Sequence, residues 1–164
     1  MKLFILFFMF NSLSAQVLDD VRNQFPGINS LEEAELHMEL LENENGTACK
    51  AYYAAMLFIK SKYVKFPLTK YSYFKKGKIA LDVLVKENKT NIEMRYIRFL
   101  FQNQMPAFLN YDKNLEEDYI VITEGIEKSD LSIQFKHKIL NNMLLVKNIS
   151  IDQTTQINLL LNKI

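Results

Sequence analysis

Asn91-Ile92-Glu93-Met94-Arg95-Tyr96-Ile97-Arg98-Phe99-Leu100-Phe101-Gln102-Asn103-Gln104 is the stretch on which the fold turns. Ile92, Met94, Tyr96, Ile97, Phe99, Leu100 and Phe101 cover almost the whole circumference of a helix. A helix that is apolar nearly all round must be enclosed by others, so this one belongs at the centre of the fold. Thr90 or Asn91 caps its start and Pro106 ends it. Asn91, Arg95, Arg98 and Gln102 step by four, three and four residues and therefore share one face. Two guanidiniums on such a rod require partners, and two arrangements supply them. In one, Arg95 and Arg98 pair with Glu116, Glu117 or Asp118 after the chain turns at Pro106 and Tyr111, fastening consecutive helices. In the other, Arg95, Arg98 and Gln102 line a groove that receives a carboxylate, a phosphate or a peptide carbonyl. Tyr111 and Glu117 complete this candidate binding set.

Outward from this centre, helical spacing continues. Ser30 and Glu33 form a capping-box pattern ahead of Leu36, Leu40 and Leu41, which supply a buried stripe, and Asn45-Gly46 stops that helix. Thr47 caps the next, where Ala48, Tyr52, Ala55, Met56, Ile59 and Tyr63 recur at helical intervals. Helices are expected from Leu68 to about Glu87, Leu115 to Glu127, Asp130 to about Leu145 with Ser129-Asp130 as cap, and Asp152 to Ile164. A weak helix from Leu18 to Gln24 precedes them. The predicted fold is all-α, about six or seven helices stacked as antiparallel hairpins in a single domain over residues 16–164. The alternative is α+β, because Ile79, Leu81, Val83 and Val85 alternate as a strand would and Tyr119-Ile120-Val121-Ile122 is rich in β-branched residues.

Ahead of the domain, Met1-Lys2, the apolar run Leu3 to Phe10 and the small-residue exit Leu13-Ser14-Ala15 read as a signal peptide over residues 1–15, cleaved near Ala15/Gln16. The run is too short for a transmembrane span, which needs roughly 20 residues. The expected product is soluble and exported, periplasmic or extracellular. The 164 residues carry 20 basic and 19 acidic side chains, so overall charge gives little attraction for nucleic acid. The one cysteine, Cys49, makes no internal bridge and reads as a buried small hydrophobe. Asn45-Gly46-Thr47, Asn88-Lys89-Thr90 and Asn148-Ile149-Ser150 match the glycosylation pattern but read as turns. With four Gly and three Pro, a turn-rich sandwich or a phosphate-cradling glycine loop is excluded.

The run Lys78-Ile79-Ala80-Leu81-Asp82-Val83-Leu84-Val85-Lys86-Glu87-Asn88-Lys89-Thr90-Asn91-Ile92-Glu93-Met94-Arg95-Tyr96 resembles the join between two tetratricopeptide repeats, with Ala80, Leu84 and Tyr96 at the small, large and aromatic packing positions. That resemblance implies a helical-repeat fold. Ala51-Tyr52-Tyr53, Lys62-Tyr63, Pro67, Tyr73-Phe74, Gly77-Lys78, Glu93 to Phe99, Gln102, Pro106 to Tyr111 and Glu116-Glu117-Asp118 resemble a family of small, uncharacterised, secreted bacterial helical proteins. The second resemblance implies export and helices, and no activity.

No catalytic motif is present in the sequence. His37 and His137 lie a hundred residues apart and read as solvated helix histidines, and no spacing suits a metal or a nucleophile elbow. The expectation is a module without cofactor, metal or chemistry of its own, binding a protein or peptide. Lys60, Lys62, Lys65, Lys70, Lys75, Lys76 and Lys78, interleaved with Tyr63, Phe66, Tyr71, Tyr73 and Phe74, suggest an alternative: an envelope protein contacting anionic glycans or lipid headgroups. A hydrolase with a nonstandard site is the remaining alternative. Phe108, Leu109 and Tyr111, apolar residues in the connector from Met105 to Asn114, either plug the core or meet a partner.

Overall fold

The structure is a computed structural model and describes residues 16–164, so the candidate leader over residues 1–15 lies outside the described residues. The protein is all-α, and no strand occurs among the described residues. The helices are α1 (16–24), α2 (Leu31–Glu42), α3 (Thr47–Tyr63), α4 (Pro67–Glu87), α5 (Ile92–Gln104), α6 (Leu115–Gly125), α7 (Ile133–Leu144) and α8 (Ile151–Lys163). Among the described residues there are eight helices, slightly more than the six or seven expected. Both strand-like stretches are helical, inside α4 and α6. The α+β alternative is therefore overturned, for a simple reason. Ile79/Val83 and Leu81/Val85 are each i,i+4 pairs, so an alternating pattern also describes a helix with two apolar faces.

Packing divides the chain into two compact units, one ending at Leu81 and one running Asp82–Ile164. The division falls within α4, where no turn residue marks it.

In the first unit α2 packs on α3 across the short 43–46 join. The Ser30 hydroxyl accepts from the Glu33 amide at 3.0 Å, but the Glu33 carboxylate accepts from the Asn29 amide rather than from Ser30, so the capping box is only half formed. Gly46, not Thr47, is the N-cap of α3; Thr47 is its first helical residue. The expected leucine stripe of α2 is also corrected. Leu41 is buried, with Ala34 and His37, whereas Leu36 and Leu40 are exposed. Phe25 meets Tyr52 edge-on at 5.4 Å, and Phe58 meets Phe74 at 5.9 Å. Gly77 explains itself here. A Cβ at this position would lie 3.0 Å from the Ala54 carbonyl oxygen and 3.1 Å from the Phe58 ring, so α3 and α4 approach closely only because the side chain is missing.

In the second unit α5 is the central rod, buried from Ile92 to Gln102. Asn91 caps it, its side chain accepting from the Met94 amide at 3.0 Å. Helix α6 packs on α5, and α7 and α8 each touch one of that pair as well as each other. Tyr96 accepts from Asn142 on α7 at 2.7 Å, and Tyr119 donates to Gln153 and Gln156 on α8. Helix α7 begins three residues later than expected, capped by Ser132 instead of Ser129-Asp130. The complete capping box of the described chain joins Ser150 and Gln153 at the start of α8.

Candidate functional site

The five candidate residues Arg95, Arg98, Gln102, Tyr111 and Glu117 do converge, in one network of hydrogen bonds and ion pairs inside the second unit. Its hub is the Asp118 carboxylate, fully buried in the first turn of α6, where the positive end of the helix favours an anion. Arg98 grips it side-on: Nε donates to Oδ2 and Nη2 to Oδ1, both at 2.7 Å. This is the fork geometry a lysine cannot supply. Arg95 donates from Nη1 to Asp118 Oδ1 at 2.7 Å and to Glu117 Oε1 at 2.6 Å, while its Nε holds the Lys89 carbonyl at 2.8 Å. Arg98 Nη1 also lies 3.7 Å from Asp82, whose carboxylate accepts from the Tyr111 hydroxyl at 3.1 Å. At the other end Gln102 and Asn114 bond reciprocally at 3.3 Å, and Asn114 Nδ2 donates to Glu117.

The charges are nearly matched: two guanidiniums face Asp82, Glu117 and Asp118. Burial opposes the charge on Arg98, but the hydrogen bond and charge of Asp118 outweigh it and hold the guanidinium above its ordinary range. The Arg95 hydrogen bond holds Glu117 below the usual carboxylate range, against some desolvation. Burial, with Asp82 alongside, pushes the Tyr111 phenol upward, so it stays a neutral donor. Arg95, Arg98 and Gln102 keep 4%, 6% and 2% of their surface exposed, so their donors reach protein groups and present no open groove at that face. Among the acids that could have served, Glu117 and Asp118 hold the arginines, while Glu116 accepts from Gln153. Two members of the network, Asp82 and Asn114, carried no local signal, because each meets its partner only through the tertiary fold. The connector divides as well: Tyr111 is buried, whereas Phe108 is 80% exposed on a 3-10 turn, Ala107–Leu109.

His37 is buried, not solvated as its setting among charges suggested. Its Nε2 lies 3.1 Å from the Gln24 side-chain oxygen, and Nδ1 has no hydrogen-bond partner. Burial lowers its pKa from the ordinary 6.5, with Glu33 and Asp20 opposing, so the ring is held neutral. Among the described residues no group of three His, Cys, Asp or Glu is placed to hold a metal, and no described helix is long and apolar enough to cross a membrane.

The lysine-rich segment of the first unit is a different kind of place. Residues 60–78 hold seven lysines and no acid. Lys60 is committed inward: it pairs with Glu35 at 2.8 Å and lies 4.8 Å above the Tyr73 ring. Burial disfavours its charge, but Glu35 and Tyr73 together raise its pKa. Lys65, Lys75 and Lys76 are exposed, and so are Phe66, Leu68 and Tyr71 between them. Helix α4 is anchored by its other face, through Phe74, Gly77 and Leu81, which are buried. Cations, exposed rings and a fixed backbone are thus combined on one solvent-facing surface.

No protein-family model, curated protein sequence or solved structure matches this chain.

Proposed function

We propose that the protein is an exported, non-catalytic helical module that works by contact, docking on anionic surfaces through the lysine-rich segment of residues 60–78. The observation that carries this reading is the segment's excess of cations: residues 60–78 hold seven lysines and no acid, and although Lys60 is paired with Glu35, Lys65, Lys75 and Lys76 stand exposed beside exposed aromatic side chains. Export rests on the leader pattern Lys2, Leu3 to Phe10 and Leu13-Ser14-Ala15. The tetratricopeptide-like join around Lys78 to Tyr96 favours a contact role over chemistry. A peptide bound at Arg95, Arg98 and Gln102 is less well supported, since occupying those donors requires displacing Asp118, Glu117 and Asn114.

The test is retention on an anionic resin as salt is raised. The wild-type chain is expected to elute late, and the Lys65→Glu/Lys75→Glu/Lys76→Glu variant early, with unchanged helicity. Unchanged retention of the variant overturns the reading.

A further inference from the structure

We infer that the anionic surface is a phospholipid bilayer, with Phe66, Leu68, Tyr71 and Ile79 seated in the headgroup region and lysines contacting the lipid phosphates. The inference rests on the anionic-surface reading above and adds the apolar half of the interaction.

Phe66 is 76% exposed, Leu68 86%, Tyr71 56% and Ile79 54%. At about 100° per residue, Leu68, Tyr71, Lys75 and Ile79 fall within roughly 80° of arc on α4, so they form one ridge. Phe66 stands at the head of that ridge, immediately before Pro67 opens the helix. Lys76 lies on its flank, and Lys75 lies within it, long enough to carry its ammonium past neighbouring side chains to a phosphate. An interfacial helix has this composition: aromatic and aliphatic side chains on one face, cations around them, and no run long enough to span.

A soluble polyanion explains the lysines but leaves the ridge in water. A bilayer interface accounts for both, because it offers phosphate outside and hydrocarbon beneath. Several other exposed apolar groups lack this combination. Leu36 and Leu40 stand among Glu32, Glu35, Glu39 and Glu42, where an anionic bilayer is repelled, and Phe108 and Leu159 have no lysine run beside them. Phe74, Gly77 and Leu81 hold α4 through the adjoining buried face, which Tyr71 borders with its ring 6.3 Å from that of Phe74, so the ridge can enter an interface without unfolding the first unit.

The chain has no tryptophan, so Phe66→Trp introduces a single reporter at an exposed position. With the full chain and vesicles of phosphatidylcholine containing phosphatidylglycerol, the emission of the Phe66→Trp variant is expected to move to the blue, and with phosphatidylcholine alone to stay put. Adding Leu68→Ser, which changes no charge, should weaken vesicle partitioning about tenfold or more, from the lost transfer of one leucine, and leave resin retention largely intact. Adding Lys75→Glu/Lys76→Glu removes two cations and adds two anions, so it should weaken partitioning by at least about thirtyfold and lower resin retention too. Emission that does not move with anionic vesicles, while resin retention still depends on the lysines, overturns the bilayer inference and leaves an acidic glycan as the surface. Resin retention indifferent to the lysines overturns the parent reading.

Discussion

Two cationic regions lie some twenty residues apart in this chain and have opposite fates. On α5 the guanidiniums of Arg95 and Arg98 are enclosed and matched by Asp82, Glu117 and Asp118. Along 65–76 the ammonium groups of Lys65, Lys75 and Lys76 stand in water with no acid on their own segment. What separates them is the cost of desolvation. A buried charge persists only with partners and hydrogen bonds, so the first region is committed to the fold, whereas a solvated charge costs the fold almost nothing and remains available to a ligand. The side-chain chemistry matches this division. Arginine's planar fork suits a fixed carboxylate, and lysine's flexible point charge suits a surface without fixed geometry.

The sharpest way to break the contrast is Asp118→Asn. It leaves two buried guanidiniums facing a neutral hub and should cost about 3–5 kcal/mol, read as a drop in the denaturant midpoint. Loss below about 1 kcal/mol would mean that the network is incidental to stability. Arg98→Lys keeps the charge and removes the fork, so a loss of about 2 kcal/mol is expected from the charged hydrogen bonds. In the first unit Gly77→Ala sets a helix-propensity gain of about 1 kcal/mol against an overpacking cost of about 1–3 kcal/mol where the Ala54 carbonyl and Phe58 ring are already in contact range. A net loss near 1 kcal/mol is expected, and a gain would show that α3 and α4 can separate freely.

Acidification tests the first unit through His37. Its folded-state pKa is below 6.5, so below neutrality the unfolded chain binds the proton more readily than the folded one. Stability from this group is fully present above about pH 6.5 and is lost as pH falls through the lower folded value. His37→Gln should flatten that part of the stability profile, measured by chemical unfolding at a series of pH values. The smallest effect on the fold is expected from Lys65→Glu/Lys75→Glu/Lys76→Glu. Its cost should stay within about 0.5 kcal/mol per exposed site, while anionic retention collapses. A large destabilisation there would erase the distinction between the two regions.

Much of the candidate network was legible because it sits on one helix. The 91, 95, 98, 102 spacing puts four polar side chains on one face, and the acids that could serve them follow Pro106 in a single cluster. Which acid became the hub was not legible. Asp118 and Glu116 are both in the first turn of α6, yet Asp118 is fully buried and Glu116 is exposed. Asp82 was read as part of an alternating apolar stretch, and its bond to Tyr111 spans 29 residues. In α2 the more apolar face was expected inward. Leu41 does go in, but its companions are Ala34 and His37, and Leu36 and Leu40 stay out. The inward face meets α3, where Ala51, Ala54 and Ala55 are buried, and small residues allow helices to approach closely.

The amino-acid order by itself determined that this chain is helical, where most of its helices begin and end, and that the 91–104 segment must be enclosed. Those outcomes follow from local spacing, caps and breakers, each acting within a few turns of backbone. Only the tertiary structure decided which of two apolar faces each of α2 and α4 turns inward. It also decided which acid neutralises which arginine and which cations are left in solvent. Periodicity fixes the angles between side chains on one helix, but the direction of the neighbouring helix is set by close contacts such as Gly77 against Ala54. The cost of burying charge then follows from that direction.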